Sequence, residues 1–340
     1  MPQYPIRMKG IILALSGLLL MGAPAAVQAQ SGSGSNFNYS INPGNTNTIT
    51  ITKYTGTSTF VAIPTNINNL TVTSIGDRAF YFNGLTSVTI PGSVTNIGEE
   101  AFGSCLLLTA ISADANNSCF MSVNGVLFDK SESTLLQYPM AVGGSYTIPG
   151  GVTSIGEWAF SDCFSLTNVS IPSTVTSIGN KAFSNCASLA SITIPGSVSS
   201  IESSAFYACS SLTAVYFNGN APSADSTVFV STDFNYDPAT AYYLAGTTGW
   251  DDFSADTDIP AVLWNPLIQT DDRSFGVVSN QYGFNITGTT NFTVLVEACT
   301  NLACPVWTPL TNVTLTNGSF YFSDPQWTNY SGRFYGLGFP

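Results

Sequence analysis

Cysteine is the residue type in this chain with the widest range of chemistry, because thiolates bind metals and pairs of thiols form disulfides. The chain has seven cysteines and no histidine. Four of the seven follow a phenylalanine by three residues: Cys105, Cys163, Cys186 and Cys209. Equal positions in a stacked repeat lie above one another in a column, whereas zinc requires four thiolates that converge on one point. The spacing therefore predicts a buried column of free thiols that act as small apolar side chains.

Cys299 and Cys304 differ from these four, because they lie outside any repeat, in Glu-Ala-Cys-Thr-Asn-Leu-Ala-Cys-Pro. A short loop can bring two such residues within the Cα separation that a disulfide needs. An oxidising compartment would favour the bridge. The sequence leaves two alternatives open here, a disulfide between Cys299 and Cys304 or two free thiols.

Catalysis that depends on histidine is excluded, since the chain contains none. This removes Ser-His-Asp and Cys-His arrangements as well as His-based zinc sites. No Gly-x-x-x-x-Gly-Lys phosphate loop and no dinucleotide fingerprint occurs. A glycosidase needs two carboxylates across a cleft, but Glu99, Glu157 and Glu202 lie in repeat turns where no cleft is expected. We therefore predict that the protein is not an enzyme and has no catalytic residue, metal or cofactor.

An acidic segment over 251–258 contains four aspartates: Asp251, Asp252, Asp256 and Asp258. Oxygen ligands of this kind suit calcium. The spacing lacks the glycine and the terminal glutamate of an EF-hand loop. It favours a solvated acidic loop over a calcium site.

The cysteines of the predicted column belong to a repeat with the pattern Val-x-x-Ile-(Gly/Glu)-x-x-Ala-Phe. Five copies begin at Val72, Val94, Val152, Val175 and Val198. A period of about 23 residues indicates a solenoid, because each coil buries its apolar face only against its neighbours. The predicted fold is mainly β, a solenoid of about 23-residue coils followed by a small antiparallel β-sandwich-like domain.

One coil can be interpreted residue by residue. Val169 and Ile171 alternate with polar residues, which predicts a short strand with one buried face. Pro172 ends this strand because proline cannot donate a ladder hydrogen bond. Residues 175–179 form a second extended segment. The Lys-Ala-Phe that follows predicts a tight helical or 3₁₀ turn that directs Phe183 inward.

The gap between the second and third copies is one period plus an insertion. It contains Asn124-Gly125, a hairpin turn signal, followed by an apolar strand over 126–130 and a partner strand over 135–139. We expect an inserted hairpin coil at about 115–150.

The two ends of the solenoid have their own signals. Residues 1–29 are typical of a secretory signal peptide, with Arg7 and Lys9 before an apolar stretch too short to span a bilayer. An uncleaved membrane anchor is the alternative. Residues 30–47 are predicted to be a flexible lead-in. The solenoid with its caps is predicted over 48–265.

The repeat is absent after residue 265. Short strands separated by Asn, Gly and Pro turns are predicted over 284–288, 292–298, 313–315, 319–322 and 332–337. This pattern favours a small antiparallel sandwich over 266–340 and is similar to the Ig- or fibronectin-like modules that end many exported bacterial proteins.

The repeat resembles the BspA-type leucine-rich repeat surface proteins of bacteria. The resemblance rests on Val-Thr-Ser-Ile-Gly-Asn-Lys-Ala-Phe at 175–183 and its sister copies, joined by Leu-Thr-x-Val-x-Ile-Pro, and covers about residues 49–216. It implies adhesion and protein binding. Glu202 departs from the pattern because it replaces the usual glycine, so its coil is expected to turn differently.

Charge narrows the class of partner. Without Arg7 and Lys9 the chain keeps 6 basic residues against 20 acidic ones, a net charge of −14. This balance disfavours nucleic acid and anionic membranes. We expect a secreted or cell-surface protein, extracytoplasmic, monomeric and without a membrane span after signal cleavage, whose ligand is a protein or an extracellular-matrix or polysaccharide component.

Trp158 is the candidate partner-binding residue of the solenoid. Its position in the other copies holds Arg78, Glu100, Lys181 and Ser204, which indicates that the position faces water. Exposed tryptophan often anchors a partner. The alternative is that Trp158 covers the inserted hairpin.

Two functions follow from these observations. The first is an exported, non-catalytic interaction or adhesion protein that presents a solenoid surface for protein binding. The second is a carbohydrate-binding protein that stacks sugars on Trp307, Trp327 and Tyr330 of the last domain. These three aromatic residues are equally compatible with the sandwich core.

Overall fold

The computed structural model describes residues 36–230, 239–278, 281–288 and 292–339. The predicted signal peptide, residues 1–29, lies outside this range. The described residues contain no helix with the length and apolar character that a membrane span needs.

The first coils consist of short strands. These are β1 (Phe37–Asn42), β2 (Asn45–Tyr54), β3 (Phe60–Ala62), β4 (Asn66–Ile67), β5 (Leu70–Ile75), β6 (Ser87–Ile90), β7 (Asn96–Ile97) and β8 (Ala110–Ala113). β1 and β2 form an antiparallel hairpin through a turn at Gly44, whose φ is +82°. The expected flexible lead-in was wrong for residues 37–42, because β1 pairs with β2 and its Phe37 packs against the ring of Tyr54.

The middle of the chain holds the inserted hairpin and the most regular coils. Its strands are β9 (Phe120–Val123), β10 (Val126–Asp129), β11 (Thr134–Gln137), β12 (Gly144–Thr147), β13 (Ser154–Ile155), β14 (Leu166–Ser170), β15 (Ser177–Ile178), β16 (Ser191–Ile194), β17 (Ser200–Ile201) and β18 (Ala214–Phe217). β9 and β10 pair through Asn124-Gly125, both with positive φ; the sequence predicts this turn and the strand after it, but not β9 before it. β11 then joins β10 to the stack by pairing in parallel with β13.

Each regular coil contributes one longer and one two-residue strand to parallel ladders. The short strands β13, β15 and β17 pair in register, so that Ile155, Ile178 and Ile201 stack on one another. The backbone at Gly179 lies close to that of the preceding coil: a Cβ on Gly179 would be 2.8 Å from the backbone nitrogen of Glu157. This close approach favours glycine, which has no Cβ. Glu202 occupies the same position, yet its coil turns like the others, and its carboxylate accepts a hydrogen bond from the Asn180 N–H at 3.0 Å.

The interior holds two columns of side chains, one of phenylalanine rings and one of the cysteines that the sequence predicts. The rings of Phe160, Phe183, Phe206 and Phe229 stack at 4.8, 5.2 and 5.5 Å, with neighbouring planes within 4°. Beside them the four repeat cysteines are fully buried, and none of them forms a disulfide. Three of them donate to the carbonyl of a phenylalanine in the preceding coil: Cys105 to Phe80, Cys186 to Phe160 and Cys209 to Phe183. The column of free thiols is confirmed.

The Ala-Phe turns differ from the predicted helical or 3₁₀ turn. The second residue before and the second residue after each phenylalanine have positive φ, as Lys181 (+52°) and Asn185 (+61°) show around Phe183. With this geometry, alternate backbone N–H groups point towards the next coil. The Phe183 N–H, for example, donates a hydrogen bond to the Ala205 carbonyl at 2.7 Å. The turns therefore stack by hydrogen bonds between coils, which a continuous helix could not provide.

An aromatic cap closes the C-terminal end of the stack. It consists of β19 (Thr240–Leu244), α1 (Trp250–Thr257) and β20 (Ala261–Trp264). Trp250 and Phe253 of α1 are buried against Phe217, at 5.0 and 5.3 Å between ring centroids. The acidic segment 251–258 is thus largely helix α1 and its C-cap, not a loop.

Two antiparallel sheets follow. Their elements are β21 (Leu267–Ile268), β22 (Gly276–Val278), β23 (Gln281–Thr287), β24 (Phe292–Cys299), β25 (Thr308–Leu315), β26 (Ser319–Asp324), a 3₁₀ turn at Trp327–Asn329 and β27 (Phe334–Gly338). The core between the two sheets includes Phe284 and Phe322 from one and Val294 and Val313 from the other. Phe339 packs on Tyr216 and Trp264, at 4.8 and 4.5 Å, and so joins these sheets to the solenoid cap.

Candidate functional site

Trp158 lies at the first left-handed position of an Ala-Phe turn, with φ +58°. Its ring is half-buried, and the Lys181 ammonium lies 4.1 Å from the ring centroid. The two residues occupy the same repeat position in neighbouring coils, so the stacking of coils brings them together. The cation–π contact covers one face of the indole. Trp158 is therefore less open than the sequence predicts.

Charges continue along the same side of the stack. Arg78 and Glu100, at the position of Trp158 in earlier coils, form an ion pair in which the Arg78 side chain is exposed and the Glu100 side chain is mostly buried. Burial and then the negative charge of Glu99 raise the pKa of Glu157, with Glu202 adding a smaller contribution. Arg78 and Glu100 thus show that equal positions of neighbouring coils can pair, and the like charges near Glu157 oppose its ionisation.

Apart from Phe60 of β3, which is 72% exposed, a group of exposed apolar residues of the solenoid lies elsewhere, where the earlier Ala-Phe turns lead into the next longer strand. We call this set the apolar corner: Tyr81, Phe82, Leu106, Leu107 and Phe164. Phe82 is 75% exposed, Leu107 57% and Phe164 43%. Exposed apolar clusters of this kind are common at sites of protein interaction.

Direct contacts join the coils of the apolar corner. The Phe82 N–H donates to the Gly103 carbonyl at 3.0 Å, and a Cβ on Gly103 would lie 3.0 Å from the ring of Tyr81. Ser104 donates to the Asp162 carboxylate at 2.9 Å, across the inserted coil. The corner residues therefore lie along one continuous edge of the stack.

The later coils lack these apolar side chains. At the positions of Leu106 and Phe164 they have Ala187 and Ser210, and at the position of Leu107 they have Ser188 and Ser211. The fold does not require a large apolar residue at this corner, since small residues occupy the same positions of the later turns. The sequence comparison that singled out Trp158 missed the corner, although the same alignment of copies contains the signal.

The three aromatic residues proposed to stack sugars have different neighbours. Trp307 lies over the strand β27, where a Cβ on Gly336 would be 3.0 Å from its ring. Tyr330 stacks on the Arg333 guanidinium at 4.2 Å, and Trp327 lies 6.4 Å from the ring of Tyr282. Trp307 and Tyr330 are 38% and 41% exposed, so the alternative that they form the sandwich core is wrong for these two.

Cys299 and Cys304 are free thiols rather than a disulfide. Cys299 is buried in β24, and Cys304 is exposed in the loop that follows. Of the two alternatives that the sequence leaves open, the structure contains the free pair.

Metal-binding groups do not converge within the described ranges. No cluster of three or more His, Cys, Asp or Glu side chains in the described part of the chain could hold a metal ion. The four repeat cysteines are separated along a column, and burial raises the pKa of Cys105 to about 11. A thiol that remains protonated is a poor metal ligand and a poor nucleophile.

The comparison with known families decides the identity of the repeat. The family model described as "BspA type Leucine rich repeat region" matches six copies, over residues 33–139 and 144–236, which is well over half of the chain. The chain belongs to the BspA-type leucine-rich repeat family. This BspA-type chain is a repeat-based interaction protein, consistent with the solenoid and with the resemblance noted in the sequence.

Solved structures similar to this BspA-type chain come from several bacteria. A leucine-rich repeat protein from Eubacterium ventriosum is 22% identical over 55% of this chain, with a TM-score of 0.47; the match spans 60% of that protein. A leucine rich cell surface protein from Faecalibacterium prausnitzii is 24% identical over 66% of this chain and 73% of its own, with a TM-score of 0.37. A leucine-rich repeat protein from Bacteroides ovatus is 20% identical over 68% and 76%, with a TM-score of 0.35.

No curated protein matches this BspA-type chain at a significant level. The TM-scores of the solved structures are low, so the family assignment rests on the repeat itself.

Proposed function

We propose that this chain is an exported, non-catalytic adhesion protein that binds another protein through the apolar corner of its solenoid. The observation that carries the proposal is the exposure of Phe82, Leu106, Leu107 and Phe164 along one edge of the stack. Small residues at the same positions of later coils are compatible with the turn, so folding does not explain the apolar ones.

Burial of these side chains would supply the binding free energy. A leucine or phenylalanine side chain contributes about 1.5–3 kcal/mol when it moves from water to a fully buried site. A few such residues are enough to dominate a protein interface. The partner that fits is a folded extracellular protein with an apolar depression, such as a component of the extracellular matrix.

Trp158 is proposed to lie at the edge of the same interface. It belongs to the turn that ends at Phe164, and Lys181 covers one face of its ring. A partner residue on the remaining surface would complete the burial of the indole. Trp158→Ala should therefore weaken binding less than the loss of Phe82.

The proposal is tested by binding of the mature chain to a panel of purified extracellular-matrix proteins. Wild type should bind at least one member, and the double variant Phe82→Ser, Leu107→Ser should bind it at least tenfold more weakly. Val306→Ser is the matched control, because Val306 is an apolar residue with 78% exposure outside the solenoid. Equal affinity of the double variant and wild type, or no binding to the panel, would count against the proposal.

A second candidate function is carbohydrate binding through the C-terminal sheets. It is favoured by one observation, the exposure of the rings of Trp307 and Tyr330. Aromatic faces that remain in contact with water can stack on sugar rings. A glycan array on the full mature chain tests this function: Trp307→Ala should abolish the signal, and retention of the signal would contradict it.

A further inference from the structure

The ladder of longer strands is interrupted between two neighbouring coils. β14 pairs with β12 and β16 pairs with β18, but β14 and β16, which face each other, are not paired. The same two coils remain joined elsewhere. Their short strands β15 and β17 pair in register, and the Phe160 N–H donates to the Ala182 carbonyl at 2.7 Å. The stack therefore opens on one side only.

Side-chain burial confirms the opening. Ile171, which directly follows β14, is half-buried. Ile148 and Ile194 hold the same position in the neighbouring coils and are only 1% exposed. A cavity of about 330 Å³ occupies the gap and reaches the surface. We call this gap the slot.

The inserted coil accounts for the displacement of β14. Gly143 packs so closely on Ser165 that a Cβ on it would lie 2.8 Å from the Ser165 side chain. The register of β12 against β14 shifts between Gly144 and Ser145. The ring of Tyr146 lies 6.0 Å from that of Phe160 and holds the inserted coil against this part of the stack. The inserted coil thus sets the position of β14, whereas β16 keeps the regular spacing of the later coils.

The width of the slot decides what can enter it. Paired strands lie about 4.8 Å apart, so an inserted peptide strand would need about 9.6 Å between β14 and β16. Cα atoms of the two strands approach within 8 Å of each other. The slot is therefore too narrow for an inserted peptide strand, so its ligand must be smaller than one.

The chemistry of the walls points to a neutral ligand. Backbone N–H and C=O groups of β14 and β16 face the slot from both sides. The polar side chains around it are uncharged: Asn168, Ser170, Ser173, Ser191, Thr193 and Asn218. Hydroxyl groups suit such walls because each can donate and accept a hydrogen bond.

From this geometry we infer that the slot binds a neutral saccharide, whose hydroxyl groups enter between β14 and β16 while its ring rests at the mouth against Ile171 and Pro195. The cavity volume is in the range of small-molecule sites. This site is separate from the apolar corner and from Trp307.

The test is a titration of the ¹⁵N-labelled mature protein with cellobiose, maltose and N,N′-diacetylchitobiose. At least one disaccharide should shift the backbone amide signals of residues 167–171 and 190–194 and slow their hydrogen exchange. Asn168→Ala should weaken binding by roughly three- to tenfold, which corresponds to the loss of one hydrogen bond. Asn168 is exposed, so this variant should keep the wild-type fold.

Ser87→Ala is the matched control, since Ser87 holds the position of Asn168 in the paired strand β6. It should leave the affinity unchanged. The inference is overturned if none of the three disaccharides shifts the slot amides, if the shifts occur only around Trp307, or if Asn168→Ala and Ser87→Ala bind like wild type.

Discussion

The ring of Phe183 lies parallel to that of Phe160, with centroids 4.8 Å apart and planes 4° from each other. This separation equals the spacing of hydrogen-bonded strands, about 4.8 Å, so ring stacking and backbone pairing use the same repeat distance. Phe183 is also 5.2 Å from Phe206. A change at Phe183 therefore removes two ring contacts at once.

Phe183→Ala is expected to destabilise the protein by about 3–5 kcal/mol, since it leaves a cavity in the stacked interior. Urea unfolding followed by circular dichroism measures the loss. Phe183→Leu, which retains most of the volume, should cost clearly less. Equal curves for wild type and Phe183→Ala would contradict the column.

Ser204→Gly is expected to stabilise the chain, because Ser204 has φ +58° and glycine adopts this region without strain. The left-handed conformation costs an L-residue roughly 1–2 kcal/mol. Ser211→Gly is the control: Ser211 is exposed and does not have positive φ, so that change should be neutral or slightly destabilising. Thermal unfolding distinguishes the two, and the reverse order would refute the left-handed turn.

Stability should fall in alkaline solution through the buried thiols. Burial raises the pKa of Cys105 from 9.0 to about 11, so the folded state favours the neutral thiol. The stabilisation is complete below pH 9, where the unfolded thiol is also neutral, and it is lost as the pH rises from 9 towards 11. Burial raises the pKa values of Cys163 and Cys186 as well.

The slope of unfolding free energy against pH between 9 and 11 measures this effect. It should be shallower in Cys105→Ala than in wild type. An identical slope in the two proteins would show that Cys105 does not titrate in this way.

Thiol labelling of the native protein should separate the cysteines by burial. Cys304 should react quickly with an aromatic disulfide reagent, whereas the four repeat cysteines should react only after unfolding, because they are fully buried. Mass spectrometry of the labelled peptides identifies the sites. Rapid labelling of Cys186 in folded protein is incompatible with the column.

The columns could be predicted because repetition multiplies a weak signal. A single Phe183 or Cys186 could be buried or exposed for many reasons. When the same residue types recur at the same positions of several coils, each must have the same environment in its coil. The inserted hairpin was also predictable, since Asn124-Gly125 is a strong turn signal between two apolar runs.

Other elements could not be predicted from the same patterns. The left-handed residues of the Ala-Phe turns include Trp158 and Lys181, types without turn preference, and stacking between coils imposes their conformation. The slot depends on how the inserted coil displaces β14, which is a tertiary effect. Helix α1 was missed because its aspartates suggested a loop, although Trp250 and Phe253 fix it to the cap.

The most direct test of the proposed function is photocross-linking from one position of the apolar corner and from its equivalent in a later coil. A benzophenone side chain is placed at Leu107 in one protein and at Ser188 in another, and each is irradiated with the extracellular-matrix protein that the wild type binds. We predict a cross-linked complex from position 107 and none from position 188. Equal yields from both positions, or a complex from position 188 alone, would contradict binding at the apolar corner.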